Sequence, residues 1–187
     1  MSSLTDREKK GLLKLARSAI AAQLKKEETI DRPEPVSPVL EENRGCFVTL
    51  HKRSMLRGCI GTIEPTKPLV KAVEENALNA AFRDPRFPPL TEAELSEIDI
   101  EISVLTVPEV LEYEDGADLK AKLSPGIHGV ILSQGWHQAT FLPQVWKQLP
   151  DTHAFLDHLC QKGGIGPECW RKGDVVVKTY KAEYFSE

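Results

Sequence analysis

Residues 98–104 read Ile-Asp-Ile-Glu-Ile-Ser-Val. In an extended chain Ile98, Ile100, Ile102 and Val104 fall on one side, and Asp99, Glu101 and Ser103 on the other. That period of two predicts a strand with one buried and one wet face, and it argues against an all-parallel sheet covered on both sides. Other segments agree. Residues 46–50 and 55–63 read as two strands joined at or near Lys52-Arg53, and residues 129–132 and 138–142 as a hairpin around Gln134-Gly135. Residues 174–180 read as a final strand. Hairpins outnumber any β-α-β pattern, so the expected class is α+β, an antiparallel sheet with packed helices.

The helices announce themselves by period and by caps. Thr5-Asp6-Arg7-Glu8 is a capping-box pattern, and Leu12, Leu15, Ala16, Ala19, Ile20 and Leu24 follow at helical spacing, which predicts a helix over 6–26. Pro33, Pro35 and Pro38 then favour an extended connection over 31–38. Thr66 is the expected cap of a second helix, with Pro68 in its first turn and Val70, Val73, Ala77 and Ala81 on its buried face. Residues 91–95 suit a short helix. Thr152 is the expected cap of a last helix running through Cys160 to Gly163-Gly164.

Composition narrows the class of protein. The chain has 187 residues, 41% hydrophobic and 28% charged, enough for one substantial core and unlike a disordered chain. No apolar run reaches the roughly 20 residues that a membrane span needs. The first residues lack the apolar core of a secretory signal, so a cytoplasmic location is the default expectation. Cys46, Cys59, Cys160 and Cys169 form no C-x-x-C pair, which argues against structural zinc, and a reducing compartment suits free thiols. The net charge of −4 argues against generic nucleic-acid binding. Yet residues 44–86 carry eight cations and four anions, a local +4 that leaves −8 on the rest. Such a segment fits either a mixed surface or an anion-binding face. No nucleotide-loop, hydrolase or metalloprotease motif is present, so neither cofactor nor metal is expected.

Leu56-Arg57-Gly58-Cys59-Ile60-Gly61-Thr62 is the run richest in chemistry. Read as a strand, it places Arg57, Cys59 and Gly61 on one face, with Arg57 and Cys59 roughly 7 Å apart, and Leu56, Gly58, Ile60 and Thr62 on the other. Glycines inside a strand mark a bulge or a close approach of something to the backbone. The run resembles the signature of the AMMECR1 domain family, and the resemblance continues in order along the chain. Residues 81–90 (AFRDPRFPPL) look like its DPRFPPL segment, and 101–108 (EISVLTVP) like its EISVLTxP strand. Residues 126–132 (GIHGVIL), 141–145 (FLPQV) and 156–164 are similar to three later blocks. The resemblance implies one α+β domain over 1–187 with two sub-lobes around antiparallel sheet and the signature in a cleft near their junction. It also implies an auxiliary role in the AmmeMemoRadiSam system, with Memo-like and radical-SAM proteins as partners.

Each candidate residue carries two readings. Cys59 beside a cation is a candidate nucleophile, or a small buried hydrophobe. If the hairpin turn centres on Lys52-Arg53, Cys46 stands opposite Cys59, as a redox pair or as two free thiols. Arg57, Arg83 and Arg86 are forks suited to carboxylate or phosphate, although Asp84 can hold one of them in an internal ion pair. Gly58 and Gly61 admit a ligand to the backbone. His128, between Gly126 and Gly129, is either a ligand contact or a hydrogen-bonded turn residue. His153 and Asp157 share a helix face, with too few partners in sequence for a metal. Trp136, Trp146 and Trp170 are expected to be core or cover residues. The ligand expected at Arg57, Gly58, Cys59, Gly61, Arg83, Arg86 and His128 is small and anionic or nucleotide-like; the alternative is a non-catalytic adaptor for partner proteins.

Overall fold

The reciprocal bonds between Thr5 and Glu8 fix where the first helix starts: the Thr5 hydroxyl accepts from the Glu8 amide while the Glu8 carboxylate accepts from the Thr5 amide at 2.7 Å. A computed structural model of the protein describes residues 3–26, 30–31, 37–173 and 175–187. Most of the expected extended connection over 31–38 lies outside these residues. Pro38 itself opens a helical turn.

The chain forms two compact units, one of residues 1–107 and 183–187, the other of residues 108–182. In the first unit the elements are α1 (Asp6–Lys25), α2 (Pro38–Glu41), β1 (Cys46–Lys52), β2 (Met55–Thr62), α3 (Leu69–Phe82) and β3 (Ile98–Leu105). The second unit holds β4 (Glu109–Val110), α4 (Gly116–Lys122), β5 (Gly129–Gln134), β6 (His137–Phe141), α5 (Thr152–Lys162) and β7 (Val176–Tyr180). A last strand, β8 (Ala182–Ser186), returns to the first sheet. The sheets run β2-β1-β3-β8 and β4-β7-β5-β6, each pairing described within them being antiparallel. The fold is α+β.

The first core follows from periodicity. Ile98, Ile100, Ile102 and Val104 are buried, as are Cys46, Val48 and Leu50 on the neighbouring strand, and α1 and α3 close over that face. Ser103 departs from the expected wet face and is buried too. The second core gathers Leu119, Val130, Leu132, Phe155, Leu156, Leu159 and Val177 around Trp146 and Trp170. The Trp146 ring stacks on Phe155 at 3.6 Å.

Several local expectations are corrected. The helix α3 begins after Pro68 with no side-chain cap, so Thr66 does not cap it. Asp151, not Thr152, caps α5, accepting from the Ala154 amide at 2.8 Å, because the carboxylate stands one residue nearer the turn. The strand expected over 174–180 is β7, and β8 follows it. Trp136 is neither core nor cover: it sits fully exposed beside Gly135, between β5 and β6, while Trp146 and Trp170 are buried. The thiols are not all free. Cys160 on α5 and Cys169 in the 3-10 turn Cys169–Lys172 form a disulfide.

Candidate functional site

The LRGCIGT run lies on β2, at the edge of its sheet, and its geometry starts at the hairpin turn. Arg53 and Ser54 both take positive φ, 52° and 63°. Two such residues make the tight turn whose twist matches antiparallel strands. The turn therefore sits one residue beyond Lys52-Arg53, and pairing runs Lys52↔Met55 and His51↔Leu56. The next pair is Leu50↔Gly58, so Arg57 is the extra residue of a β-bulge. The bulge corrects the expected alternation. Leu56 pairs with His51 and is exposed, while Gly58, Ile60 and Thr62 pair with the core-facing Leu50, Val48 and Cys46. Register also separates the thiols: Cys59 faces Thr49, and Cys46 faces Thr62.

Released from the alternation, Arg57 turns inward. Its side chain is about nine-tenths buried, with 10% accessible. Its Nε and Nη2 donate to the two oxygens of Glu94 at 3.0 and 3.1 Å. Glu94 also accepts from Lys52 at 3.2 Å and from the amide and hydroxyl of Thr91. Arg57 first, then these neighbours, holds the Glu94 carboxyl well below the usual carboxylate range, against the opposing effect of burial. Arg57 Nη1 is buried with no hydrogen-bond partner.

A second clamp closes the outer edge of β2. Asp84 is buried, and it accepts from the Cys59 amide at 2.9 Å, the Arg86 amide at 3.1 Å, and Arg86 Nε and Nη2 at 2.9 and 2.7 Å. Arg86 Nη2 also donates to the Cys59 carbonyl at 3.1 Å. An aspartate and an arginine thus bond the N–H and C=O that an edge strand would offer to another chain. Arg86 first, then the two amides, pulls the Asp84 carboxyl well below its ordinary range although burial pushes it up. The Phe87 ring lies between the clamps, 5.9 Å from the Arg57 guanidinium carbon and 5.6 Å from that of Arg86.

The glycines have steric causes. A Cβ on Gly58 would meet the Ala80 carbonyl oxygen at 2.2 Å, so α3 rests on bare backbone there. A Cβ on Gly61 would meet the Phe47 ring at 2.3 Å. Cys59 is half-buried, and its sulfur accepts from the Thr49 hydroxyl at 3.3 Å. Asp84 first, with Cys59 adding to it, raises the pKa of the Arg86 guanidinium against the opposing effect of burial. Among the described residues no histidine or carboxylate bonds the Cys59 sulfur. Cys46, by contrast, lies in the core against Asn76, and burial pushes its thiol up to about 12.

The structure brings Arg57, Gly58, Cys59, Gly61 and Arg86 together. Arg83 ends α3 and lines a groove with Gln23, Glu75, Leu78, Asn79 and Phe82. His128 belongs to the second unit, where its Nδ1 accepts from the Ser124 amide at 3.2 Å and its carbonyl accepts from the Trp146 indole at 2.7 Å. Burial, then Lys181, lowers its pKa. In the same unit His153, Asp157 and Glu168 place ligand atoms within 4.8 Å of one another. Arg171 already stands there, 2.6 Å from His153 Nε2 and 2.8 Å from Glu168. Sequence reasoning missed Glu94 as part of a clamp, Phe87 between the two clamps and Thr49 against the Cys59 sulfur. The Thr91-x-x-Glu94 spacing was the one available signal for Glu94.

The AMMECR1 family model matches residues 13–185. The chain belongs to the AMMECR1 family. A relative from Methanothermobacter thermautotrophicus is 42% identical over 94% of this chain and 92% of its own length. One from Methanosarcina barkeri is 41% identical over 98% and 92%. The crystal structure of an uncharacterised protein from Pyrococcus horikoshii is similar throughout, with a TM-score of 0.86 and 38% identity over 94% of this chain and 89% of that one. Among the described residues of this family member, no helix is long and apolar enough to cross a membrane.

Proposed function

We propose that this AMMECR1-family protein is an auxiliary, non-catalytic component that acts with Memo-like and radical-SAM partner proteins, presenting the sheet face around Cys59. The observation that supports this reading is the internal neutralisation of the motif. Arg57 is paired with Glu94 and Arg86 with Asp84, while Cys59 has a hydroxyl beside it and, among the described residues, no base bonded to its sulfur. A nucleophilic thiol needs a base or an uncompensated cation to hold it as thiolate. Here the adjacent cation is already matched by a carboxylate. What is left is a rigid surface carrying Cys59, Thr49, Leu56 and Glu101, suited to recognition. Catalysis of acyl or group transfer is not part of this reading.

One observation favours a second reading, a small anionic ligand at the motif: Arg57 Nη1 has no partner and would accommodate one acceptor atom. Calorimetric titration of the Memo-like protein into the full chain discriminates. Glu101→Lys, on the presented face, is expected to weaken that association at least tenfold. Cys59→Ser removes the nucleophile at nearly constant size and is expected to change it less than threefold. Rapid alkylation of Cys59 by iodoacetamide at neutral pH, with matching loss of the partner system's activity but undiminished partner binding, would overturn the proposal.

A further inference from the structure

Three arginines were singled out by sequence, and the two clamps account for only two of them. Arg83 remains. Its backbone N–H caps α3 by bonding the Asn79 carbonyl at 2.8 Å, and its Nη1 donates to Asn79 Oδ1 at 3.4 Å. Among the described residues it has no carboxylate partner. Its sequence neighbour Asp84 is buried and committed to Arg86 and Cys59. The rest of the guanidinium fork is therefore available, at the end of a groove of about 250 Å³.

The groove has a chemical polarity that follows from helix geometry. Glu75, Leu78, Asn79, Phe82 and Arg83 line it from α3, recurring at three- and four-residue spacing, and Gln23 lines it from α1. Asn79 uses its oxygen on Arg83, which leaves its amide hydrogens as donors. Gln23 supplies a second amide. Leu78 and Phe82 are half-buried and form apolar wall. Among the described residues the one carboxylate in the lining, Glu75, lies two turns back, ~12 Å along the helix from Arg83. It is paired with Lys67, so its charge is compensated.

We propose that this groove binds a small organic monocarboxylate with a compact apolar body, anchored by Arg83. The planar fork matches a carboxylate in two parallel bonds, and Asn79 and Gln23 complete the donor set. The single cation among the described lining residues and the apolar wall favour a monoanion with a hydrocarbon part over a phosphate, which carries more charge and no apolar surface. The volume suits a molecule smaller than a drug-sized ligand. The inference stands apart from the reading of the Cys59 face, because it uses other residues and needs no partner protein.

The test is a titration of the full chain followed by backbone amide NMR, with benzoate, benzamide and inorganic phosphate as probes. Benzoate is expected to give saturable shifts at Gln23, Asn79 and Arg83. Benzamide keeps the ring but lacks the charge, and is expected to bind at least tenfold more weakly, as is phosphate. Arg83→Gln changes an exposed side chain and is expected to weaken benzoate at least tenfold. Lys71→Gln removes the same charge elsewhere on α3 and is expected to change benzoate binding less than twofold. Shifts that never saturate, benzoate binding that survives Arg83→Gln, or phosphate or benzamide binding as tightly as benzoate would each overturn the proposal.

Discussion

In the first unit the proline-rich stretch after α3 is held by charge. Asp84 and Arg86 grip the edge of β2, and Glu94 grips the bulge at Arg57. In the second unit the glycine-rich passage after α5 is held by covalent and aromatic contacts. The disulfide Cys160–Cys169 ties it to α5, and Asp157 accepts from the Trp170 indole at 2.8 Å and the Glu168 amide at 3.0 Å. Both devices fix segments that cannot join a sheet or helix, yet they answer to different conditions. The first depends on two carboxylates staying ionised; the second adds to the Asp157 hydrogen bonds a covalent link that depends on two sulfurs staying oxidised. A segment held by charge can display a surface that responds to a charged partner; a disulfide bond itself is indifferent to ionic strength.

The largest separation between the two units should come from Asp84→Ala. That change leaves the Cys59 amide and the Arg86 fork without their shared acceptor at a buried position. An orphaned buried donor and a broken ion pair together cost about 2–4 kcal/mol, the lower part of the range for buried pairs because Arg86 is half exposed. Hydrogen exchange in urea should show the loss in β1, β2 and α3 and leave β5, β6 and α5 unchanged. A loss below about 1 kcal/mol would mean that the clamp does not hold the edge.

Reducing the disulfide should invert that pattern. Cys160 and Cys169 are nine residues apart. Opening so short a loop returns about 2–3 kcal/mol of chain entropy to the unfolded state. Exchange with and without dithiothreitol should therefore accelerate in α5 and the Cys169–Lys172 turn, with the β1–β2 hairpin as the internal control. Equal acceleration in both units would break the comparison.

What sequence could foresee divides along the same line. The alternation of 98–104 and the Thr5–Glu8 box are local patterns, read without knowing what the segment pairs with. The bulge at Arg57 is not local. It depends on a turn built from Arg53 and Ser54, neither a residue that favours positive φ, so nothing in the hairpin's own sequence reveals the register. Glu94 pairs with Arg57 across 37 residues. The spacing of Cys160 and Cys169 was visible, but cysteine composition describes a compartment and not a pairing, and it pointed to free thiols. Trp136 was misplaced because hydrophobicity alone does not tell the tip of a hairpin from a core position. Of the candidate site, the residues of β2 and Arg86 were legible as a group, and so was an ion pair from Asp84 to one arginine; that Glu94 cancels Arg57 was not.

The smallest effect, and the one that sharpens the contrast most directly, is acid. Asp84 and Glu94 both have carboxyls held well below the ordinary range, Asp84 chiefly by Arg86 and Glu94 chiefly by Arg57. A carboxyl depressed in the folded state stabilises it above the unfolded value, near pH 4, and that contribution is lost as pH falls toward the folded value. At pH 3 the unfolded chain has taken up protons that the folded chain still refuses, which amounts to about 1 kcal/mol per carboxylate. The first unit should therefore lose stability between pH 5 and pH 3 in roughly two such increments. No disulfide titrates in that range, so the Cys160–Cys169 link adds no matching dependence to the second unit. Exchange measured at pH 5 and pH 3, corrected for the intrinsic rate, should show the difference in β2 and β3 against α5. High salt at pH 5 should weaken the first unit in the same direction but less, because Asp84 and the Arg57 side chain are shielded from the solvent that does the screening. Acid that loosened α5 as much as β2 would show that the two clamps do not set the stability of the unit that contains them.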